Sequence, residues 1–463
     1  MNSKLMNSIR MSAKPMNSTH DSSSAPQIST PDSSAPVSRC IYLNNAATSY
    51  PKPVEVLNSL QTFLTAPPLQ ISRGNFESQS TDLISGCRQL LANLFNAPDP
   101  NRIIFTSGAT ESLNLALRGL PLKGRHVITT AIEHNSVLRP LKTMERDGLI
   151  TLSIVPCDLN GSVSPQSIED IITSCSGASV TRTSAPHYMA SAPESRAIDP
   201  ESITIPTANR IIGAIVVNHC SNVTGVVNDI GAIGTIARKN GISFIVDASQ
   251  SAGVHTIDVE RMNIDILAFT GHKSLYGIQG IGALYIRNGI ELTPLKTGGT
   301  GVRSDYLYQP ESMPMYYEAG TQNLPGICSL FHGITHILEK GMDNLRLRRE
   351  NLVHQMKSHL MKHDAVRVWP DENNGTQWAP PDPTCLFSFI VSGIDPSDIG
   401  YILDENYGII VRTGLHCAPL IHEHIGTSPA GSVRVSPSFF TTDKEVETFN
   451  SAMDDILEMV SQA

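Results

Sequence analysis

The chain has 463 residues, 40% apolar and 17% charged, with a formal net charge of −9. That length predicts two or three domains with real cores, and the acidic balance leaves no basic footprint for nucleic acid or an anionic membrane. No uninterrupted apolar stretch reaches the roughly 18 residues of a membrane-spanning helix, so a soluble, cytoplasmic protein is expected.

Residues 1–38 read as a disordered tail. Met recurs at positions 1, 6, 11 and 16, and Ser, Pro, Asn and Thr dominate. Such a composition buries too little apolar surface to order itself. The first acid is Asp21. An acid-poor, Ser-rich start also fits an organelle transit peptide, although Pro15 interrupts any amphipathic helix there.

From 39 to about 299 short apolar runs alternate with helical stretches. The runs 125–134, 150–158, 210–219, 242–250, 264–273 and 281–287 are rich in Val and Ile, with little polar alternation. Near-continuous apolar strands fit a mostly parallel sheet covered on both faces. The stretches 111–120 and 230–240 read as helices, so the fold class is α/β. The segment 176–208 is rich in Ser, Ala and Pro and reads as a surface insertion. From 300 to 463 a smaller α+β domain is expected. It has one long helix over 329–360, strands at 385–394 and 432–440, and a terminal helix at 443–463. Eight dispersed cysteines, with no Cys-x-x-Cys pair, argue for reduced thiols.

Ligands in such sheets sit beyond the carboxyl ends of the strands. His134, Asn222, Asp247, Gln250 and the Thr270–Lys273 run all fall there. A lysine directly after an apolar strand, as in FTGHKSLYG (269–277), is either a surface residue in a turn or an amine used covalently. A lysine amine there can form a Schiff base with an aldehyde cofactor, and Thr270 and His272 flank it with phosphate-binding groups. Asp247 favours the covalent reading, because a pyridoxal-phosphate (PLP) ring needs a carboxylate to keep its nitrogen protonated. Gln250 is placed to reach the ring's phenolic oxygen.

SGATESLN (107–114) is a small-residue turn opening a helix. The free N–H groups of Ala109 and Thr110 suit a phosphate, although a plain helix cap has the same look. His134 can stack on a pyridine ring or be a structural histidine. The loop VRTGLHCAPLIHEH (411–424) presents Cys417 beside Arg412. A cysteine near a cation can be a reactive thiolate, a buried thiol can be inert, and His416, His422 and His424 bring a metal alternative with no closed zinc spacing.

Taken together, these motifs resemble the class V aminotransferase superfamily of fold-type I PLP enzymes. The nearest likeness is to its group II cysteine desulfurase and selenocysteine lyase members. The resemblance runs from about Ile41 to the C-terminus, through YLNNAATSYPKP, RGN (73–75), SGATESLN, EHNS, SNVTG (221–225), VDASQSAG, GHKSLYG, YEAGTQN (317–323) and RTGLHCAP. It implies a seven-stranded, mostly parallel sheet in the large domain. Lys273 would carry PLP, His134 stack on it, Asp247 pair with its nitrogen, and Gln250 and Asn222 meet its hydroxyl and the substrate. Ala109, Thr110, Thr270 and His272 would cup the phosphate. Thr321 matches the position that reaches the phosphate of a neighbouring subunit, which implies a homodimer. Arg434 would grip the substrate carboxylate, and Arg412 would shape the cysteine loop.

The implied reaction converts L-cysteine to L-alanine and leaves a persulfide on Cys417, whose sulfur passes to an acceptor thiol or protein, as in iron–sulfur cluster assembly. Selenocysteine lyase, another carbon–sulfur lyase, a class V aminotransferase-like PLP enzyme that makes no persulfide, and a non-catalytic sulfur-transfer scaffold are the rival readings.

Overall fold

A computed structural model describes residues 40–67, 77–176, 210–301, 303, 305–371 and 384–462. The tail expected over 1–38, the RGN stretch and 177–208 of the expected insertion lie outside the described residues.

Eight strands come first: β1 (Ile41–Tyr42), β2 (Ile103–Thr106), β3 (Arg125–Thr130), β4 (Ile150–Val155), β5 (Ile212–Asn218), β6 (Ser243–Asp247), β7 (Ile266–Thr270) and β8 (Gly282–Ile286). Seven of them form one sheet in the order β2-β8-β7-β6-β5-β3-β4. The neighbours from β7 across to β4 pair in parallel, whereas β8 runs antiparallel to both β7 and β2. The expected α/β, mostly parallel sheet is therefore present.

The lack of polar alternation in these strands has a direct cause. Phe244 and Val246 of β6 enter one apolar core, and Ile245 between them enters another. Leu267 and Phe269 of β7 divide from Ile266 and Ala268 in the same way. Successive side chains point to opposite faces, and helices cover both faces, so the central positions of these two strands are apolar in succession.

The later strands are β9 (Val366–Trp369), β10 (Phe387–Val391), β11 (Ile409–Ile410), β12 (Arg412–Gly414) and β13 (Ser432–Val435). A four-stranded antiparallel sheet runs β12-β13-β10-β9. Its core holds Phe387, Phe389, Val433, Phe449 and Met453, together with Leu43 from the start of the described chain. That early segment pairs β1 with β11 in parallel, and Asn44 bridges to Ser436.

One expected element is corrected. The helix read over 329–360 is two helices, Leu324–Lys340 and Met342–Leu360, divided at Gly341. Gly341 has φ 80°, a left-handed conformation that ends a helix at little cost only when no Cβ is present. The terminal helix Asp443–Ser461 starts on a capping box formed by Thr442 and Glu445.

Candidate active site

Asn218, Asp247 and Thr270 are the last residues of β5, β6 and β7. Parallel strands end at one edge of the sheet. β2 joins them there, because two antiparallel steps through β8 restore its direction. That edge opens into a cavity of about 360 Å³. Ala109, Thr110, His134, Asn222, Asp247, Gln250, Thr270, His272, Lys273, Arg412, Cys417 and Arg434 all line it. These residues span more than 300 positions of sequence, so only the fold brings them together.

The turn after β7 is clamped from a distant segment. The carbonyl of His272 accepts hydrogen bonds from Ser49 N, Ser49 Oγ, Thr48 Oγ1 and Lys52 Nζ, at 3.0–3.1 Å. Lys52 Nζ also donates to Gly277 O (2.6 Å) and Ser49 Oγ (2.7 Å). Two of the three Lys52 contacts thus hold the backbone around Lys273, and the third reaches Ser49, whose own hydroxyl donates to the same His272 carbonyl. Sequence reasoning missed this lysine, because its acceptors lie about 220 residues away and no local pattern announces them. Burial pushes the Lys273 amine down to about 8; Asp247 opposes that shift, and Arg434 assists it. His272 is pushed down to about 4 by burial and then by Lys273 and Lys52, so its ring is neutral at neutral pH.

Asp247 is buried, and its Oδ1 accepts from the backbone N (2.9 Å) and hydroxyl of Ser249. Beside it lies a second residue that the sequence did not reveal. Glu133 is fully buried, accepts from Thr130 Oγ1 (2.6 Å) and Asn218 N (2.9 Å), and is pushed up to about 8 by burial. It stays protonated at neutral pH, so it adds little negative charge near Asp247.

His134 caps the helix Asn135–Arg146, and its Nδ1 accepts from Ser136 N at 3.1 Å. Burial pushes the ring down to about 4, against the pull of Asp247. The histidine is therefore neutral, with its proton on Nε2.

The turn before helix Ala109–Gly119 has no side-chain cap, so its first N–H groups are unclaimed by a capping residue, and Gly108, Ala109 and Thr110 line the cavity. Gly282 of β8 packs against this turn so closely that a Cβ there would sit 2.6 Å from Gly108 Cα.

Cys417 stands at the cavity rim. Gly414, His416 and Cys417 all have positive φ (93°, 49° and 60°), a tight coil that turns the thiol outward. Two bonds pin the loop to segments that follow strands of the large sheet: Asn135 N donates to Cys417 O (2.7 Å) and Asn222 Nδ2 to His416 O (2.8 Å). The thiol is exposed, and Arg412 Nη2 donates to Sγ at 3.7 Å. His416 and His422 are buried, and one ring nitrogen of each, Nε2 and Nδ1, bonds to Ser432 Oγ and Thr427 Oγ1 respectively. Among the described residues no three metal-capable donors of this loop lie within 4.8 Å of one another, which does not favour the metal alternative there.

Arg434 is buried under the rim. Nη1 donates to Asn222 O (2.9 Å) and Nη2 to Asn44 Oδ1 (3.0 Å), and Nε has no partner among the described residues. Burial, then the charge of Arg412, pushes it below the usual arginine range, and no carboxylate among the described residues pairs with it. A buried, unneutralised guanidinium calls for an anion. Thr321 is exposed and lies outside this cavity.

The profile of the aminotransferase class-V family matches residues 41–183 and 196–449. The chain belongs to that family. The gap in the class-V match, 184–195, falls inside the Ser/Pro-rich segment read as an insertion. A relative from Methanothermobacter thermautotrophicus, described as a probable cysteine desulfurase, is 28% identical over 427 residues, 90% of this chain and 95% of its own. Among solved structures, the cysteine desulfurase of Thermococcus onnurineus NA1 in its apo form superposes with a TM-score of 0.75. It is 28% identical and covers 90% of this chain and 95% of its own. An Escherichia coli cysteine desulfurase, CsdA, solved with an S-sulfonic acid, gives 0.72 at 26% identity, over 91% and 95%.

Proposed function

We propose that this class-V chain is a PLP-dependent cysteine desulfurase. It would take sulfur from L-cysteine, release L-alanine and hold the sulfur as a persulfide on Cys417. The single observation that carries the reading is a thiol and an amine on one cavity, with exposed Cys417 at the rim and Lys273 within.

The cavity fits the cofactor. Asn222 Oδ1, His272 Nδ1 and Arg434 Nε are buried without partners among the described residues, which leaves polar atoms for a polar ligand. Lys273 would hold PLP through its amine, and Asp247 would keep the ring nitrogen protonated. The neutral ring of His134 would stack on the cofactor, with Gln250 and Asn222 at its oxygen. Ala109, Thr110, Thr270 and His272 would surround the phosphate at the uncapped helix start. Bound there, PLP supplies an electron sink for negative charge at the substrate Cα.

The chain's own groups do the rest. Arg434 holds the substrate carboxylate, which supplies the missing anion. Lys273, its amine lowered to about 8 by burial and so a usable base, moves the proton at Cα. Cys417 sulfur attacks the sulfur of the substrate: an S–S bond forms, the substrate C–S bond breaks, and its electron pair and a proton finish as the methyl group of alanine. No external oxidant or reductant is needed. A second thiol, on a small molecule or an acceptor protein, then removes the outer sulfur. The reading includes a homodimer in which Thr321 serves the second copy's phosphate, and its exposure outside this chain's own cavity supports that role.

Cys417→Ser tests the assignment. With L-cysteine, alanine formation should fall by at least about 100-fold while the protein keeps its bound, coloured cofactor. Cleavage of L-selenocysteine should survive, because that leaving atom needs no thiol attack. Alanine formation at the wild-type rate would remove Cys417 from the chemistry. Pyruvate in place of alanine in the wild type would make the reaction a β-elimination.

A further inference from the structure

Outside the cavity described above, three side chains converge on one point. His359 lies in the last turn of the helix Met342–Leu360. Bonds from Met361 N to Lys357 O, from Lys362 N to His359 O and from His363 N to Leu360 O carry the coil one turn further. His363, four residues on, therefore faces the same side as His359, with ring centroids 5.9 Å apart. Asp454 approaches from the terminal helix Asp443–Ser461. Its Oδ1 stands 2.7 Å from His359 Nε2 and 3.3 Å from His363 Nε2. Among the described residues this is the one set of three metal-capable donors whose ligand atoms all lie within 4.8 Å of one another.

We infer that His359, His363 and Asp454 form a binding site for a divalent transition-metal cation of the zinc class, a site separate from the sulfur chemistry. Two imidazoles and one carboxylate make a borderline donor set, which suits zinc, nickel or copper better than the oxygen-seeking calcium and magnesium. Bonds of about 2.0–2.1 Å to a tetrahedral ion place neighbouring ligand atoms about 3.3 Å apart. The His363–Asp454 separation already has that value, and the His359–Asp454 pair must open by about half an ångström. The backbones are held in advance: Leu352, Met356 and Leu360 on one helix and Phe449, Met453 and Ile456 on the other share one apolar core. All three donors keep some solvent exposure, so an ion can enter and retain water as its remaining ligand. The ion would replace two imidazole protons that otherwise point at one carboxylate oxygen, and it would tie the terminal helix to its neighbour.

The test uses the full-length, PLP-loaded protein and Zn²⁺ alone. Equilibrium dialysis compares wild type with His359→Gln/His363→Gln and, separately, with Asp454→Asn. These partly exposed side chains can be exchanged for amides of similar size without opening the core. Wild type should bind one more zinc per chain than either variant, with the variants at least about tenfold weaker at this site. About 50 µM Zn²⁺ should raise the melting midpoint of wild type by about 2 °C or more and leave the variants unmoved. Equal zinc stoichiometry and equal thermal shifts in all three proteins would reduce the cluster to a pair of hydrogen bonds and overturn the site.

Discussion

At the scale of single residues, Lys273 has to be neutral when it attacks an aldehyde, and its surroundings arrange that. Burial lowers its amine from 10.5 to about 8. Cofactor capture by the apoprotein should therefore accelerate about tenfold per pH unit below pH 8 and level off above it. Stopped-flow absorbance after PLP addition from pH 6 to 10 reads this directly, and a rate still climbing tenfold per unit at pH 10 would refute it. The sign of the stability effect follows from the same shift. Between about pH 8 and 10.5 the unfolded chain binds more protons at Lys273 and Lys52 than the folded one does. Their contribution to stability thus rises with pH across that window.

The sequence shows which residue types can do this chemistry, because an amine, a carboxylate and an imidazole after apolar strands are readable as such. It does not show Lys52 or Glu133. Lys52 matters through carbonyls far along the chain, and Glu133 through burial against Asn218 and Asp247.

Among the elements, the sheet and the phosphate turn are fitted to each other. Gly282 is required by close approach: the added Cβ of Gly282→Ala would meet Gly108 Cα at 2.6 Å and Phe269 O at 2.7 Å, and both are backbone. The phosphate turn would have to move. The variant should lose about 1–3 kcal/mol of stability and bind PLP at least about tenfold more weakly. A denaturant series and a fluorescence titration with PLP measure the two effects, and an unchanged PLP affinity would show that the turn is not fitted to the phosphate. The strands were legible because each is apolar on both faces. β2 escaped notice because four residues carry no period. The Met342–Leu360 helix was merged with its neighbour because an apolar stripe does not record the left-handed turn at Gly341.

Over the whole molecule, the segment from Ile41 to Lys52 joins the two halves. Leu43 is fully buried in the C-terminal core, Asn44 holds Arg434, and Ser49 and Lys52 hold the Lys273 turn. Leu43→Ala should cost about 2–5 kcal/mol of stability. It should also raise KM for L-cysteine, because Asn44 follows directly and positions the carboxylate-binding guanidinium. Urea unfolding together with initial-rate kinetics tests the coupling; a stability loss with unchanged KM would separate the core from the site.

The amino-acid sequence alone determined the alternation of apolar strands and helices, and with it the α/β class. It also determined the chemical inventory at the strand ends. Both are local properties: a strand buried on two faces is mostly apolar without alternation, and a charged residue just beyond it stands out. The tertiary structure decided which of those residues share one cavity, how burial tunes the Lys273 amine and the His134 ring, and that Arg434 lacks an anionic partner among the described residues. Those properties depend on groups hundreds of residues apart meeting and burying one another around one cavity, and no local pattern encodes that meeting.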